Sequence, residues 1–127
     1  MHRLKVLLWV IGSVQLVLGL AYLFAPQAFL GLLGHSHPAA DINYPLGMLA
    51  SRFIAYGLAF FLIARAPERH PLWIDNMILI QAIDLAVGIY YTATGTVSLS
   101  LSAFPMFNAT LFIVLLWWWR PARPTEA

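Results

Sequence analysis

The stretch LWIDNMILIQAIDLAVGIYYTA, residues 72–93, follows Pro71 and is apolar along almost its whole length. A membrane-spanning helix needs about 20 apolar residues at a rise of about 1.5 Å each, and this stretch meets that length. It also carries Asp84 near its middle. Because a charge at the centre of a bilayer costs about 2.5–3.5 kcal/mol on insertion scales, the stretch predicts a spanning helix whose carboxylate needs a partner.

The composition of the whole chain agrees with a bilayer environment. Of its 127 residues, 61% are hydrophobic and 9% are charged, whereas an ordinary soluble domain carries roughly 25% charged residues. The chain has no cysteine, which excludes disulfides and thiolate metal sites. Its basic residues lie beside apolar segments, a topology signal rather than a nucleic-acid footprint. We therefore expect the lipid bilayer as a partner and no nucleic acid.

Four segments reach spanning length, at about residues 6–24, 46–64, 72–93 and 103–119. They predict an all-α fold, an integral membrane antiparallel four-helix bundle, in which residues 1–127 form a single four-span domain. Proline fits the first turn of a helix and breaks its interior, so we expect every proline at or beyond a helix end. The prolines are Pro26, Pro38, Pro45, Pro67, Pro71, Pro105, Pro121 and Pro124.

The two loops on the outer side differ in pattern. The first contains PQAFLGLLG, which begins at Pro26 and ends at Gly34 and predicts a short helix in the outer interface. The second, TGTVSLSLSA (residues 94–103), alternates serine with apolar residues, so we expect a short extended stretch there.

Basic residues flank the spans on one side only. If the chain alternates across the membrane, all of the following fall on that side: Arg3, Lys5, Arg65, Arg69, Arg120 and Arg123. Cytoplasmic loops carry the excess of lysine and arginine, so both termini are expected in the cytoplasm. The tryptophans fall near the cytoplasmic ends and most tyrosines near the outer ends, as in interfacial aromatic belts.

Arg52 is the only basic residue inside a span. It lies seven residues after Pro45, and Asp84 lies seven residues before Tyr91, so each reaches about 10 Å below the outer edge at helical rise. Opposite charges at matched depth on consecutive antiparallel helices predict an ion pair. With the other polar residues of the spans they predict one intramembrane polar layer: Gln15, Arg52, Tyr56, Gln81, Asp84 and Asn108.

Two interpretations of this layer remain open. Polar side chains hydrogen-bond between helices in lipid and fix their register, which would make the layer structural. Intramembrane charges also line ligand sites and proton pathways, which would make it functional.

Helical spacing indicates which faces pack. The second span carries small residues at every fourth position, a ridge that allows close backbone approach: Gly47, Ser51, Ala55 and Ala59. The other spans carry seams at alternating steps of three and four. These are Gly12, Gln15, Gly19 and Tyr22 on the first span, Met77, Gln81, Asp84, Gly88 and Tyr91 on the third, and Asn108, Leu111, Leu115 and Trp118 on the fourth.

Metal and cofactor signals are weak. His35 and His37 stand two apart in the first outer loop without an adjacent third ligand, so they are weak metal candidates and we expect no metal. No histidine pair faces mid-membrane, and the chain has no nucleophile elbow, phosphate loop or metalloprotease motif. No catalytic residue and no cofactor are therefore assigned.

The chain resembles the small four-helix membrane proteins of bacteria called BphX-like and DoxX-like. The resemblance is carried by GSVQLVLGLAYLFAPQAFLGLLG, by SRFIAYGLAFFLIARAPERHPLW and by the acidic residue of AIDLAVG, and it covers most of the chain. It implies the four-helix fold and a bacterial inner membrane, but no activity and no catalytic residues.

The leading functional hypothesis is a non-enzymatic accessory or scaffold subunit. Its bundle would pack against a partner, as a homo-oligomer or in a larger membrane complex, or hold a lipid-like molecule. A small transporter is one alternative, although small multidrug-resistance transporters carry their key acid in the first span, where this chain has Gln15. The other is a lipid-modifying enzyme that uses Asp84 as acid or base with Arg52.

Overall fold

The computed structural model describes residues 2–36 and 38–121. In this part of the chain all regular structure is helical, and no strand is present. The α-helices are α1 (His2–Phe24), α2 (Pro26–Leu32), α3 (Asn43–Ile63), α4 (Pro71–Ala93) and α5 (Leu99–Trp119). Two short 3₁₀ turns, Ala40–Ile42 and Pro67–Arg69, precede α3 and α4. The predicted all-α fold class is confirmed.

Helices α1, α3, α4 and α5 are long and apolar enough to cross a membrane. Each has 21 or 23 residues, which at about 1.5 Å per residue matches a hydrocarbon core of about 30 Å. Each predicted span falls on one of these helices, with the ends displaced by a few residues. The four helices therefore have the length and composition of those of a multi-pass membrane protein.

The described residues form two compact units. Residues 8–62 make one, which contains most of α1 together with α2 and α3, and we call it the α1–α3 unit. Residues 2–7 with 63–121 make the other, which we call the α4–α5 unit. The prediction of a single four-span domain stays a prediction.

In the α1–α3 unit, glycines bring the two long helices into backbone contact. A Cβ built on Gly12 would lie 3.0 Å from the carbonyl oxygen of Gly57, and one built on Gly19 would lie 3.0 Å from that of Ala50. Later residues of α1 therefore meet earlier residues of α3, so the pair is antiparallel. Glycine permits this approach because it has no side chain at the contact.

Aromatic side chains complete this unit. The rings of Trp9 and Phe61 stack at 4.7 Å between centroids. Tyr22 packs edge-on against Phe29 of α2 at 4.9 Å and lies parallel to Phe53 of α3 at 6.1 Å. Tyr22 thus joins the short helix to both long helices of the unit.

The predicted short helix after the first span is confirmed as α2. Pro26 is its first residue, and Gly34 follows its end with a φ of +94°. The amide of Gly34 donates to the carbonyl of Gly31, and that of His35 to the carbonyl of Leu30. Because glycine adopts this left-handed conformation without strain, Gly34 can close the helix as the sequence indicated.

In the α4–α5 unit, three contacts join the helices at successive levels. Arg120 pairs with Asp75, a Cβ on Gly88 would lie 2.8 Å from Cγ of Met106, and the hydroxyls of Thr92 and Ser102 are 2.7 Å apart. Later residues of α4 contact earlier residues of α5, so this pair of helices is also antiparallel. Its buried apolar residues on these helices are Ile74, Met77, Ala109, Phe112 and Leu116.

The predicted extended stretch at residues 94–103 is wrong, because α5 begins inside it at Leu99. The hydroxyl of Ser98 accepts a hydrogen bond from the amide of Leu101, so this serine caps the helix. The earlier start also places Pro105 inside α5 rather than at its end. Pro105 removes one amide donor from the helical ladder at that point.

Candidate functional site in the spanning helices

The predicted polar layer divides into buried amides and exposed charges. Gln15 of α1 is 5% exposed and Gln81 of α4 is 4% exposed. The amide nitrogen of Gln81 donates to the sulfur of Met77, one turn earlier on the same helix, at 3.4 Å. Both glutamines therefore lie within packed protein, as expected for polar residues in spanning helices.

Arg52 lies on the exposed side of α3. Its Nη1 donates a hydrogen bond of 2.8 Å to the carbonyl oxygen of Met48, one turn earlier on the same helix. A guanidinium has five N–H donors, so this bond leaves most of its hydrogen-bonding capacity for another partner. The side chain thus runs back along its own helix and presents charge on the helix surface.

Asp84 lies on the exposed side of α4. Among the described residues of the α4–α5 unit, its carboxylate accepts no hydrogen bond and forms no ion pair. Arg52 belongs to the α1–α3 unit, and the predicted ion pair between these two residues stays a prediction.

The remaining members of the predicted layer are half-buried. Tyr56 lies one turn after Arg52 on α3, and Asn108 lies near the middle of α5. On α3, a charge and a phenol therefore stand four residues apart, one turn from each other along the helix.

The predicted ridge Gly47, Ser51, Ala55 and Ala59 does not form the contact between α3 and α1. That contact uses Ala50, Ile54, Gly57 and Phe61. A Cβ on Gly47 would meet nothing within 4 Å, and Ser51 and Ala55 are exposed. The hydroxyl of Ser51 bonds the carbonyl of Met48, so it is satisfied within its own helix. Packing of this ridge against another chain stays a prediction.

The predicted seams have mixed outcomes. On α1 the seam is confirmed, since Gly12, Gln15 and Gly19 are all buried. On α5 it is wrong by one position, because Ala109, Phe112 and Leu116 are buried. On α4, Met77 and Gln81 are buried whereas Asp84 and Tyr91 are exposed. These helices carry apolar residues on every face, so the spacing of apolar residues does not show which face is buried.

One charged cluster was not predicted as a unit. Arg120, just after α5, pairs with Asp75 of α4 at 3.5 Å, and its guanidinium carbon lies 3.8 Å from the ring centroid of Trp117. In the sequence, Arg120 stands out only as a topology signal. An acid in the first turns of one helix and an arginine at the end of its antiparallel neighbour could have indicated the pair.

The weak metal candidates gain no support as a pair. His35 is exposed in the loop after α2, and His37 lies outside the described residues. In the described ranges, no three histidine, aspartate or glutamate side chains gather into a group that could hold a metal ion.

No family model, curated protein or solved structure matches the chain.

The arrangement provides two opposite charges on the exposed surfaces of spanning helices and two amides inside. Exposed charges in lipid favour pairing with a second protein surface, whereas buried amides fix the helices that present them.

Proposed function

We propose that the chain is an accessory or scaffold subunit that packs against a partner inside the membrane. The observation that carries the proposal is the exposure of Arg52 and Asp84 on helices of spanning length and composition. Charged residues in spanning segments almost always face a protein interior or an aqueous cavity, since lipid solvates them poorly. A chain that exposes both on its own surface is suited to a partner that covers them.

The surface around Arg52 suits a partner helix. Ser51 and Ala55 are exposed beside it, and a Cβ on Gly47 would meet open space. Small residues at every fourth position allow a second backbone to approach closely. The partner is a second copy of this chain or a subunit of a larger membrane complex.

We further propose a bacterial inner membrane, with both termini in the cytoplasm, and kinship with the BphX-like and DoxX-like proteins. The placement is supported by the lysine and arginine residues, which fall on one side of the predicted spans. The kinship is supported by the sequence stretches that carry the resemblance.

Site-specific cross-linking in native membranes tests the partner. A photo-reactive amino acid at Ala55 should give a cross-linked adduct, because this position lies on the proposed contact face. The same group at Ala103, an exposed alanine at the start of α5, provides a matched control. An adduct of twice the chain mass identifies a second copy, and another mass identifies a different subunit.

Two results contradict the proposal. One is the absence of any protein adduct at position 55 in membranes that contain the full chain. The other is equal cross-linking at positions 55 and 103, which would indicate random collision.

A further inference from the structure

A pocket of about 330 Å³ lies between the first turn of α1 and the end of α5. It is lined by His2, Arg3 and Leu4 from α1 and by Trp119 from α5, all within the α4–α5 unit. The pocket therefore combines a guanidinium, an imidazole and an indole at one end of the spanning helices. None of these residues belongs to the predicted polar layer.

Arg3 is available to a ligand in this pocket. It is exposed, and it forms no ion pair with any residue that the structure describes. Arg120, at the same end of the unit, differs because it is engaged by Asp75 and by the ring of Trp117. Arginine recognises planar and tetrahedral oxyanions with two parallel hydrogen bonds, so Arg3 is suited to a phosphate.

The electrostatic surroundings favour an anion. This end of the α4–α5 unit carries Arg65 and Arg69 in the loop before α4, both exposed, and Lys5 in α1. The acids of the same region are Glu68 and Asp75, and Asp75 is already paired with Arg120. A basic region next to spanning helices attracts anionic lipid headgroups, and basic pockets between such helices bind them.

The position of the pocket favours a membrane lipid over a free phosphate. Trp119 forms one wall, and tryptophan is enriched at the level of the lipid headgroups. The pocket also lies at the end of helices that are long and apolar enough to span a membrane, which is the level at which lipid headgroups are found.

We propose that the pocket lined by His2, Arg3 and Trp119 binds the headgroup phosphate of an anionic phospholipid. None of its lining residues belongs to the face of α3 proposed to contact a partner. The proposal stands whether or not that partner exists.

Native mass spectrometry of the full chain tests this assignment. The purified protein is titrated with phosphatidylglycerol and, separately, with phosphatidylcholine of the same acyl chains. We expect tighter binding of phosphatidylglycerol. Replacing Arg3 with glutamine should weaken phosphatidylglycerol binding about tenfold, as expected for the loss of a charge-assisted hydrogen bond. Arg3→Lys should keep part of the affinity, because lysine retains the charge but cannot donate the two parallel hydrogen bonds of a guanidinium.

Arg65→Gln is the matched control, since it removes one exposed positive charge at the same end without touching the pocket. This variant should bind phosphatidylglycerol as the parent does. An equal loss in both glutamine variants would overturn the proposal in favour of diffuse surface charge. Equal affinity for the two lipids would overturn it as well.

A competition experiment distinguishes binding of the whole lipid from binding of a free phosphate ester. Soluble glycerol phosphate is added in competition with phosphatidylglycerol, and it should compete poorly because it lacks acyl chains. Competition at equal concentration would show that the pocket binds free phosphate esters, which would overturn the assignment to a membrane lipid.

Discussion

Gly57 illustrates how single residues determine the packing of this protein. It is buried in the contact between α3 and α1, where a Cβ would lie 2.8 Å from the carbonyl oxygen of Gly12 and 3.0 Å from the amide nitrogen of Leu16. Both neighbours are backbone atoms, which cannot rotate away. A methyl group at this position would therefore push the two helices apart.

Gly57→Ala should accordingly destabilise the protein by about 1–3 kcal/mol, the usual range for overpacking. Gly47→Ala is the control on the same helix, because nothing lies within 4 Å of its Cβ position. Unfolding titration with sodium dodecyl sulfate in mixed micelles measures both free energies. Equal stability of the two variants would show that α1 and α3 are not in close contact at Gly57.

Gly88 provides a second comparison. A Cβ there would lie 2.8 Å from Cγ of Met106, which belongs to a flexible side chain rather than to the backbone. Gly88→Ala should therefore lower the free energy of unfolding less than Gly57→Ala does, as measured by the same titration.

The two exposed charges lead to another prediction at this scale. Asp84→Asn or Arg52→Gln alone leaves one charge without its predicted partner, so each should destabilise the protein or its assembly. An unpaired charge at the centre of a spanning helix costs about 2.5–3.5 kcal/mol on insertion scales, which sets the order of magnitude of the effect. The double variant should recover part of the loss, as measured by a double-mutant cycle in mixed micelles.

Mixing two variant chains tests whether Arg52 and Asp84 pair within one chain or between two copies. Combining an Arg52→Gln chain with an Asp84→Asn chain restores one intact pair if the residues meet between copies, and restores none if they meet within one chain. Parent-like stability of both single variants would show that the two residues do not interact. Recovered stability without recovered function in the double variant would assign Asp84 a chemical role.

Capping decides where the fourth long helix begins. The Ser98 hydroxyl accepts the amide of Leu101 at 3.3 Å, ahead of the first apolar turn of α5. Ser98→Ala should destabilise the protein by about 1 kcal/mol, because an amide at the helix start loses its acceptor. Ser98→Asn keeps an acceptor at that position and should restore most of the loss in the same unfolding titration. Equal effects of alanine and asparagine would contradict the cap.

The sequence predicted helices far better than it predicted their faces. Length and composition placed all four long helices, and Pro26 with Gly34 located α2, because these signals act locally. The buried face of α5 was misplaced by one residue since Leu111 and Leu115 are as apolar as Phe112 and Leu116. In a soluble helix a polar stripe would mark the exposed side, but lipid imposes no such contrast.

The candidate site was predictable only in part. The sequence identified Arg52 and Asp84 as unusual because charge stands out in an apolar helix. It also placed Gln15 and Gln81 on packed seams, as observed, but it did not indicate that the two charges are exposed, since exposure depends on which helices pack together. The basic pocket at Arg3 was missed because its walls come from the two ends of the chain.

The distribution of lysine and arginine along the chain predicts which ends of its helices face the cytoplasm. Apart from Arg52, the described lysine and arginine residues lie in three places: Arg3 and Lys5 in the first turns of α1, Arg65 and Arg69 between α3 and α4, and Arg120 directly after α5. The loops after α1 and after α4 carry neither lysine nor arginine. A chain that crosses four times brings all the basic segments to one side.

Cysteine labelling should therefore find both termini in the cytoplasm and the loop after α2 outside. The parent chain has no cysteine, so each variant carries a single thiol. In intact cells a membrane-impermeant maleimide should modify Ser36→Cys, which lies in an exposed loop position. It should spare Thr125→Cys until the membrane is permeabilised. The sequence after α5 contains the basic residues Arg120 and Arg123, which favour a cytoplasmic location. Labelling of the cysteine at position 125 with protection of that at position 36 would reverse the proposed topology.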